Sequence, residues 1–240
     1  GFFMKEIFYT IADEVFSVFP DYVRGVVVAR DVRNGPSTDE LTALLREAEA
    51  SLRETLGSGN PAEHPRIASW REAFRKTGVK PAEFRSSIEA MARRVAKGQE
   101  LPSINALVDI GNVLSLRHLV PTGGHALDDV RGDLVLRAAT GEETFVPFGG
   151  TETEHPLPGE IVFAEGDVVL TRRWSWRQGV HTLTLPESTS IEFNVDGLPP
   201  VSSGEVESVC GEVVELVSRF CGGAFETGLL SAASPRMRLL

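Results

Sequence analysis

Several features that would announce a mechanism are scarce or missing in this chain. Two cysteines among 240 residues exclude a disulfide scaffold. Cys210 and Cys221 stand eleven apart on what reads as one helical face, so they are expected to be buried thiols of a reducing cytoplasm, not a bridge or a metal pair. No apolar run approaches the roughly 18 to 20 residues of a membrane span. The opening GFFMKEIFYT carries its one lysine inside an aromatic stretch, so neither a signal peptide nor an anchor is read there, and Met4 reads as a candidate native start. Positive charge is in deficit: the formal balance of -10 argues against broad affinity for DNA or RNA, which comes from Lys and Arg displacing phosphate counterions. There is no G-x-S-x-G elbow, P-loop, G-x-G-x-x-G after a strand, H-E-x-x-H or zinc-spaced cysteine pair. The five histidines, His64, His118, His125, His155 and His181, are scattered, so no metal and no cofactor is expected.

What is present is a globular composition, 42% apolar and 24% charged, in a length that suits one large or two small cores. Tyr22 to Ala29 is β-branched and bounded by Pro20 and the Asn34-Gly35-Pro36 turn, which predicts a buried strand. A helix follows, with Ser37 and Glu40 at capping-box spacing, a stripe from Leu41 to Leu56, and Gly57 as its stop. Ile67, Trp70 and Phe74 mark a second helix; Phe84, Ile88, Met91, Ala92 and Val95 mark a third, ending at Gly98. Beyond Gln99 the pattern becomes short β runs at 134–138, 144–148, 160–164, 168–173, 181–185 and 189–195, separated by Gly, Pro and Asp. From Ser202, with Glu205 at N3, the chain is helical again until Gly222-Gly223. The fold class is therefore α+β, an antiparallel sheet region with helices grouped at both ends.

Two basic clusters run against the acidic balance. One spans Arg66 to Lys97 and includes Arg75, Lys76 and Lys80; the other is Arg172, Arg173 and Arg177, interleaved with Trp174 and Trp176. Aromatics beside arginines can stack a base or line a pocket, and alternation equally allows a strand whose tryptophans pack inward. The most unusual stretch is 101–150, where Asn105, Asp109, Asn112, His125 and Asp128 stand among apolar residues and must find hydrogen-bond partners or a ligand. His125 with Asp128 could cap a turn, and the two asparagines with Asp109 could fasten a loop.

Four elements of that stretch carry a resemblance. Asn105, Val108, Asp109 and Asn112 follow the pattern N-x-x-V-D-x-x-N. Pro121 with His125-Ala126-Leu127-Asp128 is similar to P-x-H-A-F-D. Gly132, Val135, Arg137 and Ala138 follow G-x-I-x-V-R-x-A, and Gly141-Glu142 supplies the final G-E. In this order the chain resembles the B3/B4 editing domain of the bacterial phenylalanyl-tRNA synthetase β subunit. The likeness spans 66–196, with 1–65 a strand and helix extension and 197–240 a helix and tail, all within a single domain. Nothing in the chain is similar to a synthetase's aminoacylation domain.

The resemblance implies a three-layer α+β fold with an antiparallel β sandwich. It implies hydrolysis of mischarged aminoacyl-tRNA, with His125 catalytic and Asn105, Gly111, Asn112, Trp174, Trp176, Glu192 and Asn194 binding the substrate. Gly111 replaces the family's threonine, Gly123-Gly124 lengthen the approach to His125, and the two tryptophans replace a glycine-rich turn. The acid expected to read a phenol hydroxyl falls on TSIEFNV, where Asn194 and Glu192 compete for the position. The partner implied is tRNA or aminoacyl-tRNA, with Arg75, Lys76, Lys80, Arg172, Arg173 and Arg177 as RNA contacts, and no membrane and no DNA. Two other readings stay open: a non-catalytic module holding a free amino acid or small aromatic metabolite, and a hydrolase of small amino-acid esters.

Overall fold

The computed structural model describes residues 5–239, so Met4, the candidate start, lies outside the described residues. Ten strands form two sheets. One has six strands: β1 (Phe8–Ile11), β4 (Leu134–Ala138), β5 (Ile161–Glu165), β6 (Val168–Arg172), β7 (Arg177–Gln178) and β10 (Arg236–Arg238), in the order β10-β1-β4-β5-β6-β7. The other has four: β2 (Val23–Arg30), β3 (Thr122–Ala126), β8 (Ile191–Gly197) and β9 (Ala224–Leu230), in the order β3-β8-β2-β9. All neighbours run antiparallel except β1 and β4.

The helices are α1 (Asp13–Val18), α2 (Asp39–Leu56), α3 (Pro65–Lys76), α4 (Ser87–Ala96), α5 (Ala106–His118) and α6 (Ser203–Cys221). Helices α5 and α6 pack on the four-stranded sheet, and α2 packs on α5. The other face of that sheet meets the six-stranded sheet. The result is three layers, helix, sheet and sheet, in an α+β fold. One apolar cluster runs through all three layers, and a small satellite of Ala139, Phe145, Val162, Ala164 and Val169 lies apart from it.

Several elements follow the sequence expectation closely. Helix α6 begins with the Ser202–Glu205 capping box and stops at Gly222. Helix α2 stops at Gly57, but Thr38 is its N-cap, accepting from Leu41 N at 3.2 Å. Ser37 is drawn away because its hydroxyl donates to the buried Asp109 carboxylate at 2.5 Å. The expected runs 144–148 and 181–185 are not strands. The first makes only isolated bridges at Thr144, Phe145 and Pro147. In the second, the Thr182 and Thr184 carbonyls serve Ala126 N (2.9 Å) and Asn105 Nδ2 (3.1 Å) instead of a ladder.

Candidate functional site

The site lies where the four-stranded sheet faces the six-stranded one. On β8, Glu192, Asn194 and Asp196 are spaced by two, so the strand period puts all three on one face. Its neighbours place His125 opposite Glu192, Gly123 opposite Asn194 and Arg24 opposite Asp196. The two residues competing for the acid position thus share a face. Gly123-Gly124 stay in unbroken register within β3, with no bulge to displace His125.

Above this face is a cavity of about 250 Å³. His125, Thr171, Asn112, Trp174, Trp176 and Asn194 are among the residues lining it. His125 Nδ1 bonds Glu192 Oε1, and its Nε2 lies 2.7 Å from Thr171 Oγ1 on the facing sheet. A carboxylate only accepts, so Nδ1 carries the hydrogen and the Nε2 lone pair takes the Thr171 hydroxyl proton. Glu192 is held from its other oxygen by the Tyr9 hydroxyl at 3.1 Å, and Tyr9 in turn accepts from Arg24 Nη1 at 3.1 Å. The Arg24 guanidinium grips Asp196 with Nε at 2.7 Å and Nη2 at 3.2 Å. Tyr22 and Asn194 donate to the same Asp196 carboxylate.

This chain of buried polar groups is tightly determined. Burial pushes both tyrosine hydroxyls well above their ordinary value, with nearby Arg24 opposing it, so both stay neutral donors. Burial works against the Arg24 charge too, but Asp196 and the two tyrosines outweigh it and the guanidinium stays charged. Arg24 and Asp196 are each 1% exposed. A buried pair of this kind is held by its mutual partners, and loss of one partner typically costs about 3–5 kcal/mol. Trp174 closes one wall, edge-on to Tyr22 at 4.8 Å and to Trp70 at 5.1 Å. It sits in a turn where both Arg173 (φ 44) and Trp174 (φ 59) are left-handed, a conformation that costs non-glycine residues about 1–3 kcal/mol each.

Five residues that line the cavity hold a buried polar atom without a hydrogen-bond partner in the protein: Thr122 Oγ1, Trp174 Nε1, Ser175 Oγ, Thr184 Oγ1 and Asn194 Oδ1. The Asn112 side chain also has no partner among the described residues. Buried polar groups are normally satisfied, so this concentration marks a place for a polar ligand. Gly111 lines the same space, where a Cβ would lie 3.6 Å from Thr122 O.

Some expected residues lie elsewhere. Asn105 is the N-cap of α5, its Oδ1 accepting from Val108 N at 3.1 Å, and it does not line the cavity. Asp109 accepts from Ser37, Ser103 and Ile104 N, and so fastens the loop before the helix. Asp128 holds Thr189 and Ser190 at the start of β8. Arg172 is buried against Glu160 at 2.8 Å and Glu154 at 3.1 Å. Arg173, also buried, stacks on the Phe84 and Trp176 rings at 3.6 and 4.6 Å. These two arginines therefore present no surface to RNA. Arg177 is half-buried and donates to Phe148 O at 3.2 Å, whereas Arg75, Lys76 and Lys80 are exposed. In the first basic cluster, Arg71 and Arg93 surround the buried Glu89 at 2.7 Å each. Arg24, Tyr9, Thr171, Gln178 and Asp196 carry no sequence signal of their own as site residues; only the alternation from Glu192 through Asn194 to Asp196 could have exposed one of them.

Among the described residues no three of His, Cys, Asp and Glu converge to hold a metal ion, and no helix is long and apolar enough to cross a membrane. The layers, with the polar cavity between the sheets, define an α+β domain with one candidate site between its two sheets. The chain belongs to the B3/4 domain family, whose model matches residues 69–222. Among solved structures it is similar to an N-terminal fragment of the phenylalanyl-tRNA synthetase beta-subunit from Pyrococcus horikoshii, at 10% identity and a TM-score of 0.47. That likeness covers 91% of this chain and 49% of the other, so the chain spans about half of that structure. Comparison with curated proteins gives no match.

Proposed function

We propose that the cavity hydrolyses the ester of a mischarged aminoacyl-tRNA. The observation that carries this reading is His125, the histidine of the family motif, set in the cavity wall with its Nδ1 on Glu192 and its Nε2 on the Thr171 hydroxyl, the nitrogen that would serve as the base for an ester bound in the cavity. Orientation of the ester beside such a base is itself a large part of the rate. Asn112, without a protein partner, is the group for the polar atoms of the aminoacyl or ribose moiety. Trp174 and Trp176 narrow the space for the amino-acid side chain, so the substrate need not carry the phenol hydroxyl that the resemblance implies. Arg75, Lys76 and Lys80 are the exposed cations for the tRNA backbone, and the setting is cytoplasmic.

The test is deacylation of tyrosyl-tRNA(Phe) beside a panel of other mischarged tRNAs. The native protein is expected to release the amino acid from at least one. His125→Ala should reduce that rate about 10²- to 10⁴-fold, and Asn112→Ala should weaken it mainly through KM. Native protein inert on the whole panel sinks the reading.

A second reading has its own support. The Asn112 side chain and the Ser175 and Thr184 hydroxyls, all without a protein partner, line the cavity and offer a free amino acid hydrogen bonds without turnover. Thermal stabilisation by a free amino acid, with no hydrolysis of any ester, would favour this binding module.

A further inference from the structure

The protons and lone pairs around His125 form a directed chain. Arg24 donates to Tyr9, Tyr9 donates to Glu192, His125 donates to the same carboxylate, and Thr171 donates to His125. We propose that Thr171 is a nucleophile, activated by His125 and oriented through Glu192, and that ester cleavage in this cavity passes through an acyl-threonine. This rests on the ester-hydrolysis reading and deepens it by assigning the attacking atom.

Three features support the assignment. Thr171 Oγ1 is 2.7 Å from Nε2, within the range expected of a nucleophile and its base. Thr171 lines the cavity as His125 does, but from the facing sheet, so base and hydroxyl meet at the cavity wall. Its ladder partner on β7 is Gln178, which also lines the cavity. The Gln178 amide nitrogen gives one hydrogen to Gly124 O at 3.0 Å, which leaves a second hydrogen for a developing oxyanion.

The steps balance. The Thr171 oxygen attacks the ester carbonyl carbon while its proton passes to His125 Nε2. The tetrahedral species collapses with breakage of the bond to the ribose oxygen, which takes the proton back from Nε2. Water then attacks the acyl-threonine with His125 again as base, releasing the amino acid and restoring the Thr171 hydroxyl. Glu192 does not take the proton; it fixes the tautomer and stabilises the imidazolium while it exists.

The experiment uses two substrates. Native protein, Thr171→Ser, Thr171→Val, Glu192→Gln and His125→Ala are each incubated with the mischarged tRNA panel and, separately, with p-nitrophenyl acetate. Samples are acid-quenched, and peptides are mapped by mass spectrometry for an acyl group. Unfolding midpoints establish that each variant is folded. The expected result is an acyl adduct on the peptide carrying Thr171 in native protein and Thr171→Ser, and none in Thr171→Val or His125→Ala. Ester turnover should fall about 10³-fold or more in Thr171→Val and in Glu192→Gln. Deacylation of tRNA by Thr171→Val within about threefold of native, with no adduct, overturns the nucleophile and leaves the editing reading standing. An adduct on Thr171 from p-nitrophenyl acetate with every tRNA left intact upholds the nucleophile and removes the tRNA. No adduct and no hydrolysis of either substrate overturns both.

Discussion

Gly111 faces the cavity from inside α5, where glycine is a poor helix former and alanine would be ordinary. A Cβ there meets Thr122 O at 3.6 Å and the Phe193 ring at 3.8 Å, both normal van der Waals contacts. Gly111→Ala is therefore expected to stabilise the protein by about 0.5–1 kcal/mol, through helix propensity and a less free unfolded chain. It should at the same time take volume from the site. Urea unfolding would measure the first effect and ligand or substrate affinity the second; a destabilised variant would mean the helix cannot accept even a methyl at this wall. At this scale the sequence was half legible. The motif pointed to Asn105, Asp109, Asn112 and His125 together, yet only Asn112 and His125 line the cavity. Nothing in a string distinguishes an asparagine that caps a helix from one that meets a ligand, since both follow the same backbone spacing. Arg24 and Asp196 were hidden for a different reason: they are 172 residues apart, and only strand pairing makes them partners.

Among elements, the closest approach that governs the site is that of α6 to β2. Gly25 alternates with Arg24 and Val26, so its missing side chain points away from the polar face and toward the helix. A Cβ there would strike Cys210 Sγ and lie 2.8 Å from Val206 Cγ1. Gly25→Ala should push α6 off the sheet and destabilise by about 1–3 kcal/mol. Since Cys210 is the nearer obstacle, Cys210→Ala in the same chain should recover part of that loss, a coupling that a double-mutant cycle would read. Strict additivity of the two changes would place the clash elsewhere. Helices α2, α3, α4 and α6 were visible because each keeps an apolar stripe and a cap. Helix α5 was not, because it lies against α2, α6 and β3 and is buried on nearly every side, so it has no stripe to show. Strand β10 is short, charged and largely exposed, and β9, AFETGLL, has no apolar–polar alternation to betray it.

For the molecule as a whole, buried ionisable groups should set both edges of the stability plateau. On the acid side, burial alone would push the Glu143 carboxyl up, but Arg137 at 2.5 Å and the backbone N–H groups of Thr140 and Gly141 bring it down to about 2. A carboxyl lowered by folding contributes stability that is complete above its unfolded value of 4.5 and disappears as pH falls toward 2. Asp128, which ties the start of β8, and Glu165, paired with His181 at 2.6 Å, are lowered as well and act in the same sense. On the alkaline side, burial raises Cys210 to about 12 and Cys221 to about 11, from 9.0, and raises Tyr9 and Tyr22 too. A group raised by folding contributes fully below its unfolded value and loses that contribution as pH climbs to the folded one. Stability should therefore be flat between roughly pH 6.5 and 9, slip slightly below 6.5, where burial and the neighbouring Arg66 lower His64, and fall more steeply below 4.5 and above 9. Each tenfold change in a buried group's proton affinity on folding is worth about 1.4 kcal/mol, and less at the half-buried Asp128, which water screens. Urea unfolding free energies measured across pH 2 to 11 give the curve. Glu143→Gln should flatten its acid edge, and Cys210→Ala its alkaline edge. An acid edge unchanged by Glu143→Gln would assign that edge to the other lowered carboxylates and leave Glu143 with no part in it.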